Sequence, residues 1–182
     1  MSESLLERDA IIYHEMMAHV PLFTHRKPHH VAILNDDDQG ILREVSKHAT
    51  VTHCHASLEH IEPASLDILI VGGPAPQSDF AHYFSCLHAD GILIQLCESP
   101  FQLSELKSTL QKLKTAGFHD SLPLQLPGWR SAVMAIKYGT IKRPREKDIF
   151  NKSFVTRYYN FDVHKAAFAI PEFMRLELEI YG

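Results

Sequence analysis

The sequence predicts a doubly wound α/β fold, in which helices cover both faces of a mostly parallel sheet. Three observations support this prediction. The stretch Leu66–Val71 is apolar almost throughout, as is typical of a strand buried on both faces of a parallel sheet. Helix-type and strand-type patterns alternate along most of the chain. Two strand-type segments, residues 122–126 and 132–138, follow the last helix of this series and form a closing pair.

The first third of the chain predicts a helix, a strand, a second helix and an edge strand. Residues 7–20 carry apolar side chains at helical spacing, and Pro21 is expected to end that helix. Residues 31–34 predict a short buried strand, and the aspartates after it are expected to cap a helix over residues 39–48. Residues 51–56 are more polar than a central strand, so we expect them near a sheet edge.

The remaining elements follow from turn residues. Glycines 72 and 73 end the central strand, and an Asp90-Gly91 turn is expected to precede a strand over residues 92–96. Residues 103–116 form an amphipathic pattern that Gly117 closes. Residues 57–65 leave only nine positions between two strands expected to be parallel neighbours, too few for a helical crossover. One face of that sheet edge is therefore expected to be uncovered.

Composition narrows the classes of protein that the chain can belong to. With 182 residues and a near-average apolar share, it is expected to form one domain, residues 1–182. A net charge of -4 with interspersed signs gives no basic stripe for nucleic acid. No apolar run is long enough to span a membrane and the start lacks a signal-peptide pattern, so we expect a cytoplasmic protein. Cys54, Cys86 and Cys97 are expected to be reduced thiols.

The loop from Asn35 to Gly40 carries the strongest chemical signal. It places Asp36, Asp37 and Asp38 where nucleotide-binding folds usually have glycines, at the carboxyl end of the first strand. Phosphate sites present bare backbone amides there, and adjacent carboxylates would repel phosphate. The loop therefore favours a cationic ligand, a ribose hydroxyl or a metal ion, and it points to amines or sulfonium compounds.

Four segments of the chain, in matching order, resemble the spermidine synthases. The longest, residues 156–173, reads TRYYNFDVHKAAFAIPEF and is similar to the C-terminal signature of that family. The others are ERD followed by YHEM and HVPL near the start, then GILREV at residues 40–45, and ESPF at residues 98–101. Together these segments identify the chain as a divergent member of the polyamine aminopropyltransferases.

This resemblance implies a methyltransferase-like Rossmann fold and a reaction in which aminopropyl passes from decarboxylated S-adenosylmethionine to putrescine. It implies no resident cofactor, because the nucleoside is a co-substrate. Asp38 matches the acid expected to hold the aminopropyl end of the donor, and Tyr13 and His14 match residues of the family's substrate pocket. From the residues alone, Tyr13 would as readily be a core residue and His14 a surface histidine.

The departures from the family pattern fall on the chemistry. Gly72 stands where the family has the aspartate that takes a proton from the attacking amine, and side chains replace the glycines of the loop before Gly40. Depending on one gap, the ribose-binding acid of the family falls on Leu58, Glu59 or His55, of which Glu59 is the candidate. The acceptor-side tyrosine is lost, and Trp129 is out of register by one.

Two further segments of the family pattern are expected to be missing. One is the β-α segment, with its adenine-contacting acid, that should come next after the ribose-binding acid, and the other is the small N-terminal β domain. These losses favour a degenerate homologue, or pseudoenzyme, that acts as a binding or assembly protein, either as a homo-oligomer or as the partner of a full-length synthase. The alternative is an active aminopropyltransferase with an unusual pocket. A small-molecule-binding or methyl-transferring relative is a third interpretation.

Metal binding is not expected. His53 and His55 would lie on one face of the edge strand, but no third and fourth ligand shows recognisable spacing. The aspartate loop lacks the ligand spacing of a calcium loop. Cys97 has no base placed beside it by any motif, so a buried strand thiol is the preferred interpretation.

Overall fold

A computed structural model describes residues 5–73, 79–97, 99, 101–128, 130–141 and 143–180. Pro74 to Pro76 of the turn after the central strand, together with Glu98, Pro100 and Trp129 of the family-like segments, lie outside the described residues.

Six strands form one sheet in the order β2-β1-β3-β4-β6-β5. Strands β1 (His30–Leu34), β2 (His53–His55), β3 (Leu66–Val71) and β4 (Leu87–Cys97) run parallel to one another. The closing pair, β5 (Asp120–Leu126) and β6 (Arg130–Ile136), adds two antiparallel strands, with β6 beside β4. The predicted α/β fold with its buried central strand is confirmed, because β3 lies between β1 and β4 and five of its six residues are buried.

Helices pack on both faces of this sheet. They are α1 (Leu5–Thr24), α2 (Gly40–Val45), α3 (Phe80–Cys86), α4 (Leu103–Ala116), α5 (Glu146–Phe150), α6 (Phe161–Ala167) and α7 (Glu172–Glu177). Side chains alternate along β3, so that Ile68 and Ile70 face the cluster containing α1 whereas Leu69 and Val71 face the cluster containing α3 and α4. Each face of the sheet therefore has its own core.

The prediction that Pro21 ends the first helix is wrong. The helix continues to Thr24, although proline removes one backbone hydrogen bond and costs about 3 kcal/mol in a helix interior. All residues from His14 to His25 are buried, and the Thr24 hydroxyl donates to the carbonyl oxygen of Val20 at 2.8 Å. The free energy gained by burying this segment therefore outweighs the cost of a proline inside the helix.

The predicted turn at Asp90-Gly91 is also wrong, because β4 runs through these residues. The register of β4 against β3 shifts between the pairs of Leu66 and Ile68, which marks a bulge. A Cβ atom on Gly91 would lie 2.8 Å from the Cβ atom of Leu87. Gly91 therefore marks an irregularity inside a strand and not a turn that reverses the chain.

The short connection between β2 and β3 contains no helix, as its length predicted. The two strands are not neighbours, however, because both pair with β1 and the connection crosses from one side of β1 to the other. Leu58 and Ile61 of the connection pack against the core cluster on the α3 and α4 face. The connection thus covers part of the sheet that a crossover helix would otherwise cover, and β2 forms the exposed edge.

The C-terminal region contains three short helices, α5 to α7, that the sequence analysis did not predict. Each has five to seven residues, too few to show a hydrophobic period. No described helix is long and apolar enough to cross a membrane.

Candidate functional site

Most of the predicted site residues lie along the edge of the sheet where the parallel strands end, and this edge is called the crevice below. The Asn35 to Gly40 loop follows β1, and Gly72 follows β3. Because β6 runs antiparallel to β4, its first residue, Arg130, reaches the same edge. Helix α1 carries Tyr13 and His14 to this edge, where they contact the residues after β3 and β1 respectively. Ligands of open α/β sheets bind at this edge.

At one end of the crevice, the aspartates turn inward to the backbone. Both carboxylate oxygens of Asp36 accept backbone N–H bonds, from Ile41 at 3.1 Å and from Leu42 at 2.8 Å, and Asp38 accepts one from Gly40 at 3.0 Å. The amides that would bind a phosphate or carboxylate ligand are therefore occupied by the chain's own acids. Asp36 provides the helix cap expected of the cluster, while Gln39 at the N-cap position makes no side-chain cap bond.

The two left-handed positions of the same loop are not glycines. Asn35 and Gln39 both adopt left-handed backbone conformations, with φ of 58° and 56°. Asparagine accepts this conformation more readily than most residues, whereas glutamine does so rarely. The loop therefore keeps the tight shape of a glycine loop while presenting side chains to the crevice.

His14 and Gly40 fix the position of Asp38. The Nε2 atom of His14 lies 3.1 Å from an oxygen of Asp38, and the imidazole ring rests directly against Gly40. A Cβ atom at position 40 would lie 2.1 Å from the ring, so only glycine fits there. His14 is buried, whereas the Asp38 side chain is 60% exposed. His14 therefore supports Asp38 from the protein interior, and the Asp38 side chain is exposed in the crevice.

The charge of Asp38 is stabilised by its neighbours. Desolvation raises the pKa of Asp38, but the Gly40 N–H bond, His14 and Arg43 together lower it below its ordinary value. Asp38 is therefore ionised throughout the neutral range. Polar atoms of His14, Asp36 and Asp38 lie within 4.8 Å of one another. Because an ionised carboxylate can only accept, His14 is the donor in its bond with Asp38, and the negative charge at this end of the crevice comes from the two aspartates.

Tyr13 occupies the middle of the crevice. Its hydroxyl donates to the carbonyl oxygen of Gly72. Burial raises the pKa of Tyr13, and the Asp36 carboxylate raises it further, so the hydroxyl remains a neutral donor. A Cβ atom on Gly72 would lie 2.9 Å from this hydroxyl and 2.8 Å from the carbonyl oxygen of Asn35. The space for a side chain at position 72, where the resemblance places a catalytic acid, is therefore filled.

Gln95 supports the same turn, and the sequence analysis did not identify it. Its side-chain amide donates to the carbonyl oxygens of Gly73 and Leu96, both at 3.0 Å, and the residue is buried. A buried polar side chain in a central strand is stable only with such partners. The one available signal was the interruption of the apolar run in β4 by a glutamine.

The other end of the crevice carries a cation. The Arg130 guanidinium forms an ion pair with Asp9 of α1 and lies 5.3 Å from the centroid of the Tyr13 ring. The side chains of Arg130 and Asp9 are 33% and 35% exposed. These partners are 121 positions apart in sequence, so no local pattern pointed to them. The crevice is thus acidic after β1 and carries an ion-paired cation at β6.

Glu59, the predicted ribose-binding acid, lies in the exposed turn after β2. Within the described residues, no hydrogen bond or ion pair joins it to Asp38, Tyr13 or His14. The structure thus brings together three of the four predicted site residues. The role of Glu59 remains a prediction.

A buried carboxylate joins α1 to the family-like C-terminal segment. Glu15 accepts backbone N–H bonds from Arg157 at 2.7 Å, Tyr158 at 2.9 Å and Tyr159 at 2.8 Å. Glu15 follows Tyr13 and His14 on the same helix, so this contact ties the C-terminal segment to the helix that carries both site residues. A cavity of about 270 Å³ lies next to it, between α1, β5 and α6, and is lined in part by Met16, Gln125 and Tyr158.

The fold and its crevice define the class of the protein, a methyltransferase-like Rossmann protein whose sheet has six strands. A family model for the spermine/spermidine synthase domain matches residues 10–71. The polyamine aminopropyltransferase of Halorhodospira halophila is 34% identical, over 94% of this chain and 81% of the relative. That of Methylococcus capsulatus is 35% identical, over 92% and 76%. The chain therefore belongs to the polyamine aminopropyltransferase family.

Solved structures agree with this assignment at the level of the fold. The spermidine synthase of Thermotoga maritima aligns with a TM-score of 0.82 at 24% identity, covering 96% of this chain and 76% of the other. A spermidine synthase in complex with the transition-state analogue AdoDATO gives the same score at 23% identity. The alignment with the Halorhodospira relative extends over 224 residues, more than the 182 of this chain, so the relative has internal segments that this chain lacks.

Proposed function

We propose that this chain transfers an aminopropyl group from decarboxylated S-adenosylmethionine to an amine such as putrescine. The observation that carries the proposal is the Asp38 carboxylate, which His14 and the Gly40 N–H hold at the end of β1, ionised and facing the crevice. The aminopropyl end of the donor is an ammonium, and a fixed carboxylate binds it by a charge-assisted hydrogen bond. Named relatives that are polyamine aminopropyltransferases support the same reaction.

The transfer is a single displacement at carbon. The lone pair of the amine nitrogen attacks the aminopropyl carbon bonded to the sulfonium sulfur. A C–N bond forms while the C–S bond breaks, and its electrons return to sulfur, which leaves as the neutral thioether of methylthioadenosine. The product nitrogen carries the positive charge as a secondary ammonium, which keeps its proton at neutral pH because its pKa is near 10.

The amine must be neutral before it attacks, and Gly72 cannot remove its proton. An alkylammonium has a pKa near 10, so about one molecule in 10³ is neutral at pH 7. A positioned general base contributes about 10² to 10⁴ in rate. Because the sequence contains no acid between Asp67 and Asp79, we infer that the amine is deprotonated by solvent and that turnover is slow at neutral pH.

A second candidate is a degenerate homologue that binds the same ligands but serves as a binding or assembly partner, either in a homo-oligomer or with a full-length synthase. The filled space at Gly72 favours it, because the site has closed over the position of the base. The exposed edge at β2 offers unpaired backbone groups to a partner strand. Co-purification with a full-length synthase, lost when a proline replaces Cys54 at that edge, would favour this candidate.

The test is to incubate the purified chain with decarboxylated S-adenosylmethionine and putrescine and to measure methylthioadenosine and spermidine. Asp38→Asn should lower turnover about 10- to 100-fold, because it removes the charge that binds the donor ammonium. Asp37→Asn is the matched control, since Asp37 is exposed in the same loop. Equal losses in both variants would contradict the role of Asp38. No methylthioadenosine at any pH up to 9 would overturn the proposed reaction in favour of the second candidate.

A further inference from the structure

Asp9 and the Tyr13 ring together have the chemistry of an ammonium site. A carboxylate provides an ion-pair partner, and the face of an aromatic ring attracts a cation within about 6 Å of its centroid. Both groups project from one face of α1, since positions 9 and 13 are one helical turn apart. The Tyr13 hydroxyl is held by Gly72, which fixes the ring in place.

This ammonium site of Asp9 and Tyr13, called the seat below, is already occupied by a side chain of the same protein. The Arg130 guanidinium forms an ion pair with Asp9 and lies 5.3 Å from the Tyr13 centroid, so it makes both contacts that an alkylammonium would make. Each of the two side chains of the ion pair is about one-third exposed, so solvent and solutes can reach the seat. Arginine stacks on aromatic rings and pairs with carboxylates more readily than lysine does, which suits it to this position.

We propose that Asp9 and Tyr13 form a binding site for a primary ammonium group, and that Arg130 is an internal competitor that sets which amines can enter it. A diamine such as putrescine must displace the guanidinium to place its distal ammonium between Asp9 and Tyr13. The proposed function enters only in identifying that ammonium as the distal end of the acceptor.

The competition makes a prediction about binding that needs no turnover. Arg130→Met removes the cation and leaves Asp9 free, so putrescine should bind about tenfold more tightly than to the unaltered chain, measured by isothermal titration calorimetry. Arg130→Gln should show a similar gain with a polar side chain of similar length. Arg130→Lys keeps a competing cation and should show little gain.

The double variant Asp9→Asn/Arg130→Met identifies the seat. It should lose the gain of Arg130→Met, because the carboxylate that receives the ammonium is gone. The inference is overturned if folded Arg130→Met and Arg130→Gln bind putrescine no more tightly than the unaltered chain, or if the gain persists without the Asp9 carboxylate. Circular dichroism establishes that each variant is folded.

If turnover depends on Asp38 but the affinity for putrescine is the same in the Arg130 variants, the ammonium site is overturned and the proposed reaction stands. Tighter putrescine binding in Arg130→Met without methylthioadenosine formation in any variant would support the seat and overturn the proposed reaction.

Discussion

The two ends of the crevice are built differently. At the β1 end, Asp36 and Asp38 are fixed by backbone N–H donors and by His14, and the loop retains a tight shape without its glycines. In the middle and at the β6 end, Gly72 has no side chain and Arg130 places a cation over Tyr13. Ligand binding and proton transfer are therefore separable: one end has the charge that would hold a donor, whereas the other lacks a base.

Both ends depend on α1, because His14 contacts Asp38 at the β1 end and Tyr13, in the middle, lies under Arg130 of the β6 end. Glu15 anchors the same helix to the C-terminal segment. Glu15→Gln leaves one acceptor oxygen for three buried N–H donors and turns an amide towards them. We expect a loss of about 3 to 5 kcal/mol in the free energy of unfolding, measured with urea.

Glu62→Gln, at an exposed position, is the control for that variant and should change stability little. Donor and acceptor affinities should fall together in Glu15→Gln. A loss of affinity for only one of the two ligands would contradict the view that α1 supports both ends of the crevice.

Lowering the pH should reduce the free energy of unfolding before it neutralises Asp38. Burial lowers the pKa of His48, which follows α2, to about 3, and it lowers that of His164, on α6, to about 4. Below pH 6.5 the unfolded chain takes up protons that the folded chain refuses. Stability is therefore full above pH 6.5 and falls by about 1.4 kcal/mol per pH unit for each histidine.

From pH 6 to pH 5 the two histidines together should cost about 2 to 3 kcal/mol, measured by urea unfolding at each pH. His88→Gln, at an exposed position, should leave this slope unchanged. Unaltered stability between pH 7 and pH 5 would contradict the buried, neutral state of these histidines. Asp38 has a lowered pKa and stays ionised in this range, so donor binding should follow the fraction of folded protein.

Gly72→Ala tests the middle of the crevice. The added methyl group would lie 2.8 Å from the Asn35 carbonyl oxygen and 2.9 Å from the Tyr13 hydroxyl, so we expect a loss of about 1 to 3 kcal/mol. The matched control is Gly73→Ala, whose nearest contact would be 3.2 Å, and its cost should be smaller. If Gly72→Ala is as stable as the unaltered chain, Tyr13 does not close this position.

Elements with strong local signals were predictable from the sequence. The apolar run of β3 and the helix α4 with its left-handed cap at Gly117 were predicted with their observed bounds. Local signals failed where long-range packing decided the outcome, as at Pro21 inside buried α1 and at the bulge beside Gly91.

The site was predictable in part. Its acids were visible as a motif, and the family-like segments identified Tyr13 and His14. The separate roles of the aspartates were not predictable, because only the folded loop shows that Asp36 caps α2 while Asp38 is exposed in the crevice. The pair of Asp9 and Arg130 depends on β6 reaching the edge at which α1 passes, which follows from sheet order and not from spacing.

In the proposed reaction, Asp38 binds the donor but no group of the protein takes a proton from the acceptor amine. The pH dependence of methylthioadenosine release, at saturating donor and fixed total putrescine, distinguishes this mechanism from one with a base. Without a base the rate should rise about tenfold per pH unit from pH 7 to 9, following the neutral amine. A rate that levels off near pH 7 would contradict the claim, because it would reveal a titrating base within the protein.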